Sequence, residues 1–490
     1  MAEAIASTNK FPRYRNSRLV YGALVVLVLT VFFNSVVGFP VTLSAVLATQ
    51  LVLFVLLLQR PVWAIAALII GQLTTNNFMV PLGGVQIAIR FLWTILALLI
   101  LVPMLYREGG IKLGNRARRI IFPAIIFFCW IIITGAMNTG LANVLKDLRY
   151  ICTWLIILIL LPAVVKNEQD IKRLALVALI TCSVSAVFAL QQHYQFLDLS
   201  FLGLPTYELY GTYDASDSYY RVSGLSESSV QLGFNLPVIL LPMAAIFFGK
   251  GLSSKNRKLI LLLIIVMSAA LYFTYTRSGI YSLAPGLLLI VFLMRGKAKK
   301  VAFLVLLILG IAFLIFTQMS GNRYSQGFGE EGSATARLVF WQAGVNIAVD
   351  NPVIGIGSHR FEEASLAYAS AVDPDLIHHE TGAGRALGRY EAHNDFITIW
   401  ASYGILALLA FLWLIWGIFR NFLDTYHNTR SYFLKGLALG CFGAVAAYIV
   451  NAFTHNVLDT SMLIWILGGL SIATAKVALS RPLSKAKRTR

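Results

Sequence analysis

What most constrains this chain is a succession of apolar stretches, each roughly 20 residues long and separated by short basic clusters. A helix of that length crosses the hydrocarbon core of a bilayer, whereas soluble cores use shorter runs. The stretches fall at 19–38, 40–58, 61–79, 86–106, 119–137, 147–165, 173–192, 230–249, 257–275, 279–294, 301–319, 393–419, 433–455 and 460–479. That makes fourteen expected spans; the second, third and tenth are the weakest, so the range is 12–14. Only 13% of the 490 residues are charged, against about 25% in soluble domains. The expected fold class is an all-α polytopic membrane protein.

A net charge of +18 raises the question of nucleic acid. Its placement argues instead for topology, because Lys and Arg gather between spans as the positive-inside rule requires. With a cytoplasmic N-terminus, the inner segments include Lys10 to Arg18, Arg107 to Arg119, Lys166 to Arg173, Lys250 to Lys258, Arg295 to Lys300, Arg420 to Lys435 and Arg481 to Arg490. Both termini are then expected inside. The polar N-terminus leads into a full-length span near residue 19 and reads as uncleaved. The four cysteines, Cys129, Cys152, Cys182 and Cys441, are isolated within apolar runs and suggest neither disulfides nor a CxxC metal site.

The chain divides into N-terminal spans (1–192), an outer loop (193–229), spans joined by an outer hairpin (230–319), a large outer loop (320–392), and C-terminal spans with a basic tail (393–490). Connections longer than ~15 residues are uncommon unless they do something. Within the large loop, "TARLVFWQAGVNIAVDNP" is amphipathic, with Leu338, Trp341, Val345 and Ile347 available to rest on the bundle or the membrane interface. No internal repeat is visible.

Polar groups gather at the outer edge, where burying charge near hydrocarbon is costly. Arg221 stands in "YYRVSGLSESSVQLGFN", with Glu227 and Asn235 following; Arg277 in "TYTRSG"; Arg337 in "ATARLVFW"; and His393 in "YEAHNDF". Each has a plainer reading. An arginine at a span end snorkels to headgroups, a lone histidine caps a helix, and Asn394 and Asp395 suit an N-cap. Together they suggest a chemistry. Arginine forks pair bidentately with phosphate, and a histidine takes a proton from a hydroxyl near neutral pH. Such a site suits glycosyl transfer from a lipid diphosphate sugar.

The run "AHNDFITIWASYGILAL", preceded by "DNPVIGIGSHRF", "ATARLVFW" and "TYTRSG", resembles the O-antigen ligase and polymerase family over roughly residues 200–460. Its most specific elements are the His-Asn pair entering a span and the Asn-Pro-x-x-Gly-x-Gly approach at Asn351, Pro352, Gly355 and Gly357. The resemblance implies a GT-C-like multi-span fold with a periplasmic loop, in a bacterial inner membrane. It implies His393 as the group that deprotonates or orients the acceptor hydroxyl. It also implies Arg277 and Arg337, and less directly Arg221, as holders of an undecaprenyl diphosphate donor. Glu391, Asn394 and Asp395 would support the site. Transfer would be metal-independent and inverting, without a cofactor. Implied partners are the lipid-linked glycan donor, a glycan or lipid A core acceptor, membrane lipids, a flippase and a chain-length regulator, with no nucleic acid. The sequence departs from the family at Ser402, where members often carry glutamate, and at Ala407, in place of a second glycine.

Other readings stay open. Asp373, Asp375, His378, His379 and Glu380 offer oxygen and imidazole ligands for a divalent ion, although loop tips have the same composition. A ligase fits as well as a polymerase, with the span count leaning to the latter. A lipid-linked oligosaccharide flippase would require charge near mid-span, yet Arg90, Arg149 and Lys476 lie near span ends.

Overall fold

The computed structural model describes residues 13–36, 41–57, 61–74, 79–82, 85–88, 102–103, 106, 111–199, 210–214, 219–320, 332–373 and 392–480. The chain is helical. In order come α1 (Arg13–Ser35), α2 (Val41–Leu57), α3 (Val62–Thr74), α4 (Arg118–Thr139), α5 (Leu141–Val164), α6 (Glu168–Tyr194), α7 (Ser229–Phe248), α8 (Ser254–Phe273), α9 (Arg277–Leu293) and α10 (Lys297–Ser320). Then follow α11 (Gly332–Asp350), α12 (Ser358–Val372), α13 (Asp395–Tyr403), α14 (Ile405–Asn428), α15 (Tyr432–Thr454), the short α16 (Val457–Thr460) and α17 (Leu463–Leu479). Two antiparallel ribbons complete the described chain. β1 (Met79–Leu82) pairs with β2 (Val85–Ala88), Met79 opposite Ala88, and β3 (Thr212–Asp214) pairs with β4 (Tyr219–Arg221), Thr212 opposite Arg221.

Among the described residues, six helices are long and apolar enough to cross a membrane: Asn115–Thr139, Glu168–Tyr194, Ser229–Phe248, Ser254–Phe273, Ile405–Asn428 and Tyr432–Thr454. Shorter apolar helices, among them α3, α9 and α17, pack between them. Helix starts follow sequence chemistry. Asn167, Ser228, Ser253 and Ser431 each accept a backbone N–H from the first turn of the helix they precede. At α7 the Gln231 side chain also accepts the N–H of Glu227, the residue before the Ser228 cap, at 3.1 Å.

Apolar contact with lipid gives helices no reason to prefer one another, so their association depends on close packing. Two features supply it. Trp154 on α5 stacks on Trp465 of α17 at 5.3 Å, with Phe128 of α4 5.1 Å from the same indole. On α15, Gly436 and Gly440 share a face, and a side chain at Gly440 would land on the backbone of Pro242, so α15 and α7 meet backbone to backbone.

The two ends of the bundle differ in charge. At one end Arg116 and Arg119 clasp Asp424 at 3.2 and 2.6 Å. There too the Lys476 ammonium donates to the carbonyls of Pro162 and Val165 at 2.8 and 3.0 Å. Lys172 pairs with Glu168 at 2.9 Å beside Ser431. The opposite end carries α11, α12 and the start of α13.

The apolar run beginning at residue 393 does not form one span. It is divided at Gly404, which has φ +82° and lies against the Val353 carbonyl, a position no side chain can share. The spanning part is α14, from Ile405 to Asn428. In α11 the buried stripe is Val339, Phe340, Ala343, Ile347 and Ala348, while Leu338 and Val345 are exposed. Of the apolar positions picked from the sequence, Ile347 is fully buried and Trp341 partly so, because α11 packs on α12 and α13 together.

Candidate active site

The site is built around the start of α13. The Asn394 side chain, buried, accepts the N–H groups of Phe396 and Ile397 at 3.0 and 3.2 Å and caps the helix. His393, one residue earlier, has φ +48°, a left-handed conformation that a non-glycine residue adopts at a cost of about 1 kcal/mol. Its imidazole is partly buried. Burial first, and the nearby Arg337 guanidinium second, push it down from 6.5 to about 4. The ring is therefore neutral at pH 7, an acceptor of hydrogen bonds that holds a proton weakly.

Arg337 reaches this neighbourhood because α11 lies on α13. Gly344 packs so closely on Ile397 and Ala392 that a Cβ would come 2.5 Å from the Ile397 side chain. The Asn351-to-Gly357 approach serves the same end. Ile356 and Gly357 donate their N–H groups to the carbonyls of Ala401 and Ser402, and Ile405 donates to Pro352. Asn138 of α4 donates to the Gly355 carbonyl at 3.1 Å, and the Trp130 indole to that of Tyr403 at 2.8 Å. The glycine spacing that marks the resemblance is thus a splice between loop, α4 and the α13–α14 break. It fixes where His393 sits.

Asp395 turns out to be a clamp. Its buried carboxylate accepts the Leu458 N–H at 3.2 and 3.0 Å and the Tyr448 hydroxyl at 3.3 Å. Beside it Thr398 donates to the Asn456 side-chain oxygen at 3.4 Å. These bonds bring the turn after α15 against α13 and set the His455 ring 5.8 Å from that of His393, at 72°.

A second cluster forms where α8 turns into α9. Arg221, at the end of β4, donates through Nε to the Thr274 carbonyl at 3.1 Å and through Nη2 to Thr276 Oγ1 at 3.3 Å. Arg277 is the first residue of α9, and no side chain among the described residues caps that helix. The Arg221 guanidinium and the backbone of Arg277 thus share one turn with a helix N-terminus whose N–H groups favour anions. The two clusters share α7. A side chain at Gly233 would strike Thr276, while Phe234 packs 5.2 Å from His455.

Placement of the remaining candidates is mixed. Glu391 lies outside the described residues, as do Asp375, His378, His379 and Glu380; Asp373 ends α12. Asn235 is buried, its amide bonded to the Leu73 carbonyl at 3.2 Å, and so has a packing role. Ser402, at the position where glutamate is expected, is buried and gives its carbonyl to Gly357. Sequence reasoning missed His455. Its signal was a second His-Asn pair, His455-Asn456, leaving a span as His393-Asn394 approaches one.

Residues 262–412 match a family model described as O-antigen ligase, a stretch that contains Arg277, Arg337 and His393. The chain is also similar to the exopolysaccharide production protein ExoQ of Rhizobium meliloti (strain 1021), 24% identical over 279 residues. That alignment covers 54% of this chain and 62% of the relative's length. The two matches support an O-antigen ligase/polymerase-like family for this multi-pass membrane protein.

Proposed function

We propose that the protein is a metal-independent, inverting membrane glycosyltransferase that moves a glycan from an undecaprenyl diphosphate donor, working as a surface polysaccharide polymerase. The observation that carries this reading is the pairing of cations with neutral imidazole at one end of the bundle. The Arg221 guanidinium bonds Thr276, the residue before Arg277 at the start of α9, and the Arg337 charge acts on His393.

In this reading the arginines and the α9 N-terminus hold the diphosphate. They take up the charge that grows on it as the anomeric C–O bond breaks. Neutral His393 hydrogen-bonds the acceptor hydroxyl and aims its oxygen at the anomeric carbon, from the face opposite the departing phosphate. α11, packed on α13, walls one side of the site and helps keep out water that would hydrolyse the donor. With the basic end of the bundle in the cytoplasm, the site faces the periplasm of an inner-membrane protein with fourteen spans, a GT-C-like arrangement and both termini inside.

Ligation to a lipid A core is the second reading, favoured by the family description over residues 262–412, whereas the relative named for exopolysaccharide production favours chain assembly. Glycan analysis of a deletion strain separates them. A single repeat unit on the core indicates a lost polymerase. Unattached polymer on the lipid carrier indicates a lost ligase. Wild-type glycan in the deletion strain would remove both.

A further inference from the structure

α15 ends at Thr454, and His455 follows in extended conformation with φ −154°. Its ring meets His393 at 5.8 Å and 72°, with Phe234 at 5.2 Å. The surrounding bonds hold this juxtaposition. Asp395, two residues after His393, binds the N–H of Leu458, three residues after His455. Thr398 binds Asn456, the residue next to His455, and Tyr448 braces Asp395.

The chemistry also asks for a second group. His393 is partly buried and the nearby Arg337 charge also opposes its protonation, so a proton left there is held weakly. We propose that His455 is the second catalytic imidazole of the site: neutral His393 donates its ring N–H to the acceptor oxygen and orients it, and His455 takes the hydroxyl proton. The proposal rests on the glycosyl-transfer reading above. At a centroid spacing of 5.8 Å, one hydroxyl oxygen can lie within hydrogen-bond reach of both rings. In the step, the acceptor O–H bond breaks and its proton passes to a ring nitrogen of His455. The oxygen's electron pair forms the new bond to the anomeric carbon, and the C–O bond to the diphosphate breaks, its pair staying on phosphate.

The test uses purified full-length protein, a synthetic polyprenyl diphosphate oligosaccharide and its acceptor. His455→Ala is expected to lose about 100-fold in kcat, with donor KM and the unfolding midpoint in detergent unchanged, and added imidazole to restore much of the rate. His455→Phe, which keeps the packing on Phe234, is expected to be as slow as His455→Ala. Wild-type turnover in either variant, or a loss in His455→Ala that imidazole leaves untouched, overturns the role. With His393→Ala inactive and His455→Ala normal, only this inference falls. If both variants turn over normally, glycosyl transfer at this site falls with it.

Discussion

The carboxylate of Asp395 accepts the backbone N–H of Leu458 on both oxygens, at 3.2 and 3.0 Å, and ties the start of α13 to the start of α16. Because that tie spans a buried region, removing the acceptor leaves a donor with no water to turn to. Asp395→Ala is expected to lower stability by about 1–3 kcal/mol for each group left unpaired. Asp395→Asn, which keeps one acceptor oxygen, should lose less. Thermal unfolding in detergent measures both, and a wild-type midpoint in Asp395→Ala would show that the clamp is not structural.

Gly404 separates α13 from α14 at φ +82°, with the Val353 carbonyl where a Cβ would go. Gly404→Ala is expected to cost about 1–3 kcal/mol in backbone strain alone, plus the displacement of the Val353 backbone. The readout is the yield of monodisperse protein and its melting temperature. An unchanged yield with an unchanged melting temperature would contradict the described break.

Much of the membrane architecture was legible because a bilayer imposes a length on every apolar helix. The break at Gly404 was not, since apolar residues continue through it from Phe396 to Phe419. Only the approach of Val353 from a distant segment makes a glycine necessary there. The place of Arg277 was readable, since it stands between two apolar runs, and it opens α9. The role of Asp395 was not, because a carboxylate behind an Asn cap looks like part of the cap until Leu458 is brought to it. His455 escaped for a related reason: a polar group closing a span is ordinary until its partner across the fold is known.

Arg221 spans two acceptors with its fork, Thr274 O and Thr276 Oγ1, at 3.1 and 3.3 Å. A lysine ammonium is a single point charge and does not reproduce that geometry. Arg221→Lys is therefore expected to raise donor KM by at least about tenfold, in line with the roughly 1.5–3 kcal/mol of a charged hydrogen bond. Acceptor KM should stay constant. Initial rates over a donor titration check this, and an unchanged donor KM would take Arg221 out of the phosphate clamp.

His393 gives a signed pH dependence. Its folded value of about 4 lies below the unfolded 6.5, so between these values the unfolded chain binds a proton that the folded chain refuses. The stability it contributes is complete above about 6.5 and is lost as pH falls toward 4. The ceiling is about 3 kcal/mol for that difference. His393→Gln should flatten this part of the stability curve. Arg337→Ala, by removing a cation, should raise the imidazole's folded value toward 6.5, narrow the window from its acid side and make the loss of stability at pH 4.5 smaller. Chemical denaturation at pH 4.5 and 7.5 compares the three proteins, and identical slopes would contradict the described environment.

The most direct measurement is transfer by the purified protein in EDTA, following release of polyprenyl diphosphate and extension of the acceptor glycan. Wild type is expected to turn over. His393→Ala is expected to bind donor with wild-type affinity and lose about 10²–10⁴ in rate, and Arg277→Ala and Arg337→Ala to lose donor binding. Transfer at the wild-type rate by His393→Ala, with donor affinity unchanged in both arginine variants, would contradict the account.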